Sequence, residues 1–166
     1  MSAIRLRPLR EDEFETWRAR SRERYAADMV ANAGMSPAAA AAKAERDGAT
    51  ALPQGLATPG HHLFVIEEEG GAEVGTLWFA VTAQHAWLYE IEIDEARRGE
   101  GLGRAAMEEL EERVRALGHE RIELNVFGGN TVARTLYRSL GYAETFVTMA
   151  KPLTDSPAAG PGSTTP

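Results

Sequence analysis

The sequence predicts a mixed α/β domain built around a single sheet, and three observations lead to this fold class. Residues 90–94 alternate polar and apolar side chains as a strand does, and a glycine-rich turn and an amphipathic helical stripe follow directly. Two apolar, strand-like segments flank the turn at residues 69–72, Glu-Gly-Gly-Ala, which predicts a hairpin. Ser36 followed by Pro37 is a typical helix start, an N-cap with proline in the first helical position.

The first half of the chain predicts one strand and two helices before the hairpin. Residues 3–9 alternate as a short strand, and residues 10–31 form a helix whose bulky apolar members are Phe14, Trp17, Tyr25 and Met29. The alanine-rich run after Pro37 predicts a second helix to about Asp47, ended near Gly48. Residues 52–60 contain two prolines and two glycines and are therefore expected to be a loop.

The second half predicts the rest of the sheet and two more helices. Strands are expected at residues 62–67, 74–82, 86–94 and 121–127, with a last strand at about 144–151. Helices are expected from Leu102 to a stop at Gly118, and from Val132 or Ala133 to Gly141. The order is β-α-α-β-β-β-α-β-α-β. Residues 152–166 carry a single charge and too few apolar groups for a core, so we expect a domain at 1–151 and a disordered tail at 152–166.

Composition excludes several classes of protein. A chain of 166 residues with 43% hydrophobic residues is enough for one domain. The absence of cysteine excludes disulfides, thiolate metal sites and a cysteine nucleophile, and agrees with a cytoplasmic location. A net charge of −7 argues against nucleic acid as a partner, and no apolar run approaches the ~20 residues of a membrane span.

The turn after the strand at residues 90–94 is a candidate anion site. Three glycines, Gly99, Gly101 and Gly103, alternate with other residues, and arginines stand at 97, 98 and 104. Glycine lets the backbone approach an anion closely, and the following helix N-terminus adds positive potential. The turn lacks the Gly-Lys-Ser/Thr ending of a P-loop, and an arginine replaces the third glycine of a dinucleotide fingerprint.

Two motifs together carry a family resemblance. Arg98-x-x-Gly101-x-Gly103 follows a strand with acidic residues, and residues 125–142 read Asn-Val-Phe-Gly-Gly-Asn-Thr-Val-Ala-Arg-Thr-Leu-Tyr-Arg-Ser-Leu-Gly-Tyr. In this order, one helix and one strand apart, they resemble the two signatures of the GCN5-related N-acetyltransferases (GNAT). The resemblance covers residues 4–151, and the segment at 52–63 is similar to a feature of a bacterial branch of the family. Many members end in a two-stranded hairpin, whereas this chain has room for one strand after Gly141, which leaves open whether a neighbouring subunit helps to close the acceptor pocket.

The resemblance implies acetyl-CoA as co-substrate and assigns its binding residues. The strand before the turn would splay from its neighbour so that the backbone of Ile91, Ile93 and Asp94 pairs with the pantetheine arm. Asn130 begins a helix and would add a hydrogen bond to the arm besides capping that helix. The pyrophosphate would be held by N–H groups of the turn, contributed by Arg98, Gly99, Glu100, Gly101, Leu102, Gly103 and Arg104.

The candidate catalytic residues are Tyr137 and Glu90. The resemblance places Tyr137 beside the CoA sulfur and the pantetheine arm, and a phenol of pKa near 10 can give a proton to a departing thiolate; the plainer interpretation is a core aromatic. Glu90 is the candidate base, acting through water, with Glu92 or water alone left as alternatives and a solvated strand face as the plainer reading. No metal site is expected, because His61 and His62 are adjacent and would face opposite ways on a strand.

These observations predict an acetyl-CoA-dependent N-acetyltransferase. Since no cysteine can carry the acetyl group, transfer to a primary amine would be direct, in a ternary complex. Between Asp47 and Ala96 there is no lysine or arginine but eight acidic residues. This acidity fits a cationic small-molecule or peptide acceptor, and it fits the ordinary surface of a soluble protein equally well. The alternatives are a catalytically silent acyl-CoA-binding or sensing module, O-acetyl transfer, and a longer acyl donor. A homodimer is left open.

Overall fold

A computed structural model describes residues 4–153 and contains four helices and a five-stranded sheet. The strands are β1 (Ile4–Pro8), β2 (His61–Glu68), β3 (Glu73–Val81), β4 (Ala86–Ile93) and β5 (Ile122–Leu124). The helices are α1 (Glu11–Ala33), α2 (Pro37–Ala51), α3 (Leu102–Ala116) and α4 (Thr131–Ser139). Short 3₁₀ turns lie at Gly55–Ala57 and Glu95–Arg97. The mixed α/β fold class predicted from the sequence is confirmed.

The strands lie in the order β1-β2-β3-β4-β5. The first four pair antiparallel in sequence order, and β4 pairs parallel with β5. Only the last pair needs a helical crossover, which α3 provides, because parallel neighbours cannot be joined by a tight turn. In the crossover, the eight residues 94–101, which include the Glu95–Arg97 turn, separate the end of β4 from the start of α3.

The two faces of the sheet are covered by different helices. On one face α1 packs Phe14 and Trp17 against a cluster that includes Val65 of β2 and Trp78 of β3. On the other face, α3 packs one apolar stripe against the sheet, as the helical spacing of its apolar residues predicts. The stripe consists of Leu102, Ala106, Met107, Leu110 and Val114, each at most 2% exposed.

Helix α2 lies against α1, and its start follows the predicted capping. The Ser36 hydroxyl accepts a hydrogen bond from the Ala39 N–H at 3.2 Å, and Pro37 occupies the first turn. The predicted end near Gly48 is wrong, since the helix continues to Ala51. A Cβ at Gly48 would lie 3.3 Å from Nε of Arg22, so this glycine allows close approach to α1 and does not end the helix.

The largest departures from the predicted strands lie near the C-terminus. Strand β5 has three residues instead of the expected seven, because it separates from β4 after Leu124. The strand expected at about 144–151 is not formed, and residues 143–153 are exposed without helix or strand. Most of the tail predicted at 152–166 lies outside the described residues. Within residues 4–153, no helix is long and apolar enough to cross a membrane.

Candidate active site

A cleft opens between β4 and β5. The two strands pair only at residues 86–88 with 122–124, whereas β4 stays paired with β3 as far as Ile93. Beyond Leu88, the edge of β4 that faces β5 therefore has no strand beside it within the described chain. The separation predicted for this strand from the family resemblance is present.

The backbone groups at this edge belong to Ile91 and Ile93. Asp94 N–H donates to the Val74 carbonyl of β3 at 2.9 Å, and in an antiparallel ladder residues alternate in direction. Ile91 and Ile93 consequently direct their N–H and C=O groups to the open side. The Ile93 carbonyl accepts a hydrogen bond from Arg98 Nε at 3.2 Å. Asp94 itself is fully engaged, because its carbonyl accepts from the Arg97 N–H at 2.8 Å.

A β-bulge lies at the point where the strands separate. Trp78 of β3 is opposite Glu90 and Phe79 is opposite Leu88, so Tyr89 is the extra residue of β4. The Tyr89 ring is half exposed and stacks on Trp78 with centroids 4.3 Å apart and planes at 11°. Bulges re-aim side chains and occur often beside active sites. Here the bulge places Tyr89 and Glu90 on the α1 side of the sheet.

The glycine-rich turn has the geometry of an anion site. Gly99 and Gly101 have φ angles of 83° and 82°, and a Cβ at either position would meet nothing within 4 Å. Gly101 is the N-cap residue of α3 and has no side chain that could accept hydrogen bonds from the helix start. The first helical hydrogen bond runs from the Ala105 N–H to the Gly101 carbonyl. The N–H groups of Leu102, Gly103 and Arg104 consequently precede the helical ladder and point out of the helix end. The Leu102 side chain is buried in the core and fixes this end of the helix.

The three arginines of the turn have different surroundings. Arg97 pairs with both Glu68 and Glu100, so its positive charge is neutralised within the protein. Arg98 is exposed and has no ion pair among the described residues. Arg104 donates to the Ser139 hydroxyl at 2.5 Å, which joins α3 to α4. Gly103 sits at the same contact, where a Cβ would be 3.4 Å from Leu136.

Helix α4 carries Tyr137 and Asn130. Tyr137 is half buried on the α3 side of the sheet, its hydroxyl makes no hydrogen bond within residues 4–153, and burial raises its pKa. Tyr142 lies beside it with ring centroids 5.8 Å apart. The Asn130 side-chain oxygen accepts from the Ala133 N–H at 3.1 Å, which confirms the capping role predicted for it.

Glu90 and Glu92 face α1 on the opposite side of the sheet. The Glu90 carboxylate accepts a hydrogen bond from the Ser21 hydroxyl at 2.5 Å and lies 2.6 Å from Arg24 Nη2. Arg24 also pairs with Glu92. Sequence reasoning missed Ser21 and Arg24 because it considered only the bulky apolar members of α1. A sheet-facing stripe at Trp17, Ser21, Arg24 and Asp28 would have shown them.

A second cleft, of about 330 Å³, lies between α1 and the sheet near Glu90 and Glu92. Trp17 and Arg20 of α1 form one wall, and Glu92 and Thr76 lie on the strand side. The Thr76 hydroxyl is buried and has no hydrogen-bond partner among the described residues. The carboxylates that line the cleft are Asp12, Glu13, Glu73, Glu92 and Asp94.

Arginines from other segments pair with most of the acidic residues in the stretch between residues 47 and 96. Five of its eight acidic residues pair with arginines of β1, α1 or the turn, namely Glu67, Glu68, Glu73, Glu90 and Glu92. The sequence alone could not show this, because the arginines come from distant segments. No group of three or more acidic or histidine side chains that could hold a metal occurs within residues 4–153.

His61 and His62 lie on opposite faces of β2, as predicted. His61 Nδ1 accepts a hydrogen bond from Trp78 Nε1 at 3.0 Å, and the His61 ring lies 5.4 Å from the Tyr89 ring. His62 instead stacks on Phe79 on the α3 side. Burial lowers the pKa of both imidazoles.

An open strand edge beside a glycine turn at a helix start is an arrangement that suits an anionic, amide-containing ligand. Comparison with known proteins gives the family. The model of the acetyltransferase (GNAT) family matches residues 9–142. YdgE of Bacillus subtilis (strain 168), described as an uncharacterised N-acetyltransferase, is 34% identical over 155 residues, covering 91% of this chain and 99% of that protein.

A solved structure agrees with the sequence relatives. The crystal structure of YycN from Bacillus subtilis superimposes with a TM-score of 0.88 at 31% identity, covering 92% of this chain and all of the other. The YycN sequence carries the same description as YdgE, an uncharacterised N-acetyltransferase. The chain belongs to the GNAT acetyltransferase family. The predicted enzyme class, an N-acetyltransferase of this family, is confirmed.

Proposed function

We propose that the protein transfers the acetyl group of acetyl-CoA directly to a primary amine in a ternary complex. The observation that carries the proposal is the open edge of β4 at Ile91 and Ile93, which leads directly into the uncapped start of α3. The amide groups on this edge suit the pantetheine arm, although the Ile93 carbonyl already accepts a hydrogen bond from Arg98, and the helix N–H groups suit the CoA pyrophosphate. Arg98, exposed between the two, adds a charge to the phosphates. The unit proposed to do this is residues 1–151.

The reaction needs one base and one acid. The amine nitrogen attacks the thioester carbonyl carbon, the C–N bond forms, and the C–S bond breaks with the electron pair on sulfur. We assign the proton that the thiolate takes up to the Tyr137 hydroxyl. Its raised pKa keeps the phenol protonated at neutral pH, and no protein group competes for its hydrogen bond within the described chain.

The amine would lose its proton to Glu90 or to water held by it. Glu90 faces α1 whereas Tyr137 lies on the α3 side, so the two groups flank the cleft between β4 and β5 from opposite faces of the sheet. An acceptor would then approach from the α1 side. Arg24 bridges Glu90 and Glu92 on this side, so a cationic amine would have to displace Arg24 from one of the two carboxylates.

One observation favours the second candidate, a silent acyl-CoA-binding module. Glu90 accepts a hydrogen bond from Ser21 and forms an ion pair with Arg24, which also pairs with Glu92, so neither carboxylate near the bulge is unpaired in this arrangement. Such a module would bind acetyl-CoA with the same turn and cleft but release no CoA when amines are added.

A thiol-release assay over a library of amines separates the two candidates. We expect free CoA to appear only when an amine is supplied, and Tyr137→Phe to lower turnover by about 10²–10⁴-fold while acetyl-CoA affinity stays near that of the wild type. Tyr142→Phe is the matched control, since this second half-buried phenol lies beside the first. Equal turnover of wild type and Tyr137→Phe would contradict the assignment of the acid. Binding without turnover for every amine would support the silent module.

A further inference from the structure

Helix α1 crosses the cleft between β4 and β5 on one side of the sheet. At one end of the crossing, Ser21 donates a hydrogen bond to Glu90 of β4, and Arg24 pairs with the same carboxylate. About two turns further along the helix, Asn32 lies so close to Gly129 that a Cβ on this glycine would collide with the Asn32 side chain. Gly129 lies in the turn between β5 and α4. The helix therefore extends from the strand on one side of the cleft to the end of the strand on the other side.

Asp28 lies midway along this crossing. It follows Arg24 by four residues and precedes Asn32 by four, so it is about 6 Å along the helix axis from each of them. Residues four apart share one face of a helix, and Arg24 and Asn32 both face the sheet side. The Asp28 side chain is half buried on the same face. Its carboxylate is consequently directed to the cleft between β4 and β5.

The Asp28 carboxylate has no hydrogen-bond or ion-pair partner within residues 4–153, whereas Arg24 pairs with both Glu90 and Glu92. Burial raises the pKa of Asp28, and the nearby charges of Arg24 and Glu90 lower and raise it respectively. Because its pKa is raised on folding, the ionised carboxylate costs stability at pH 7. Groups that are kept at such a cost are expected at functional sites.

We propose that Asp28 binds the ammonium group of the acceptor before that nitrogen loses its proton. The inference rests on the proposed function, since it assigns a binding residue for the acceptor of the same reaction. An ammonium group only donates hydrogen bonds and an ionised carboxylate only accepts them, so the two groups are complementary. Asp28 would hold the nitrogen on the α1 side of the cleft, and the proton would then leave to Glu90 or to water. A hydroxyl acceptor brings no charge to Asp28, so this site selects ammonium-bearing acceptors over alcohols.

The test measures CoA release by the full chain with ethanolamine, 1,4-diaminobutane, glycinamide and neamine as probes. For each probe that the wild type acetylates, we expect Asp28→Asn to raise KM by about 10–150-fold, the value of one hydrogen bond to a charged group. The kcat should stay close to that of the wild type, because the lost contact holds the ground state and the transition state alike. Calorimetric titration should give unchanged affinity for acetyl-CoA.

Two further variants separate the position of the charge from its presence. Asp28→Glu keeps the carboxylate and should recover most of the lost kcat/KM. Glu23→Gln is the matched control, since it removes the same charge from an exposed position of the same helix. This control should keep the wild-type KM, whereas an equal rise in KM for Glu23→Gln and Asp28→Asn would show that net charge is the cause and would overturn the proposal. Asp28→Glu as impaired as Asp28→Asn would also overturn it.

Thermal unfolding separates a binding role of Asp28 from a structural role. Asp28→Asn should have a Tm equal to or above that of the wild type, because it removes an unpaired, half-buried charge. A lower Tm together with weaker acetyl-CoA binding would show that Asp28 supports the fold, contrary to the proposal. Wild-type KM in Asp28→Asn would overturn the role of Asp28 and leave the proposed function in place. A wild type that acetylates none of the four probes would contradict the proposed function for these amines, and the role of Asp28 would fail with it.

Discussion

Replacing Gly101 by alanine tests the anion site in the turn, and replacing Gly118 by alanine is the matched control. Gly101 has a φ of 82°, and Gly118 at the end of α3 has a φ of 85°. In both places a Cβ would meet nothing within 4 Å, so only the backbone conformation opposes the side chain. Left-handed backbone costs a residue with a Cβ about 1–2 kcal/mol. The two variants should therefore lose similar stability, about 2–8 °C in Tm for a chain of this size.

Ligand binding should distinguish the two variants. In the proposed site the phosphate oxygens lie against the N–H groups around Gly101, and a Cβ there occupies that space. Loss of one hydrogen bond to a charged group is worth about 1.5–3 kcal/mol, which is a rise of at least about tenfold in Kd. Gly118→Ala should bind acetyl-CoA as the wild type does. Valine would be a poorer choice, because β-branching adds strain at a positive φ angle.

Calorimetric titration with acetyl-CoA, together with thermal unfolding of each variant, makes both comparisons. Equal stability losses with unchanged affinity in Gly101→Ala would refute the assignment of the turn, even though the family membership would stand. Weaker binding in both variants would show that strain at the ends of α3, and not the position of the Cβ, controls affinity.

The remaining predictions concern charges. Arg24→Gln should leave the fold intact and change the KM for amines more than the affinity for acetyl-CoA, because Arg24 contacts Glu90 and Glu92 on the acceptor side; an effect on acetyl-CoA titrations alone would contradict this. If Glu90 is the base, Glu90→Gln should reduce kcat most at low pH, where the amine most needs to lose a proton, and a pH-independent loss would argue against that role. Arg7 hydrogen bonds hold the pKa of Glu13 at about 2, below its ordinary 4.5. Glu13→Gln should therefore lower the free energy of unfolding in urea at pH 7 and converge on the wild type as the pH falls from 4.5 to 2, whereas a constant difference would show that the ion pair is not its cause.

Much of the fold follows from local patterns. The start of α2 is set by the Ser36 hydroxyl and the proline after it, and the β2–β3 hairpin forms around its two-glycine turn, as predicted. These features are readable because a cap or a turn involves groups a few residues apart. Gly48 was misread as a helix end because its partner, Arg22, comes from another helix.

The candidate site also contains some features that the sequence predicted and others that it could not predict. The sequence predicted the turn, the cap at Asn130 and the separation of β4 from its neighbour from motifs that lie along the chain. It could not predict that Arg24 bridges Glu90 and Glu92, nor that Tyr89 is the bulged residue, since both depend on register across elements far apart in sequence. The acidity that suggested a cationic acceptor was likewise reduced by arginines from elsewhere in the chain.

By itself, the sequence determined the family, the helix and strand order up to α4, and the residues that form the turn, because each rests on short-range spacing and backbone preference. Only the tertiary structure decided which carboxylates pair with arginines, which edge of β4 is open and whether residues 144–151 form a strand. Ion pairs and strand pairing join groups that are close in space and distant in sequence. The last predicted strand shows the limit most clearly: residues 144–151 have an apolar pattern that predicts a strand, but among the described residues 4–153 no strand forms there.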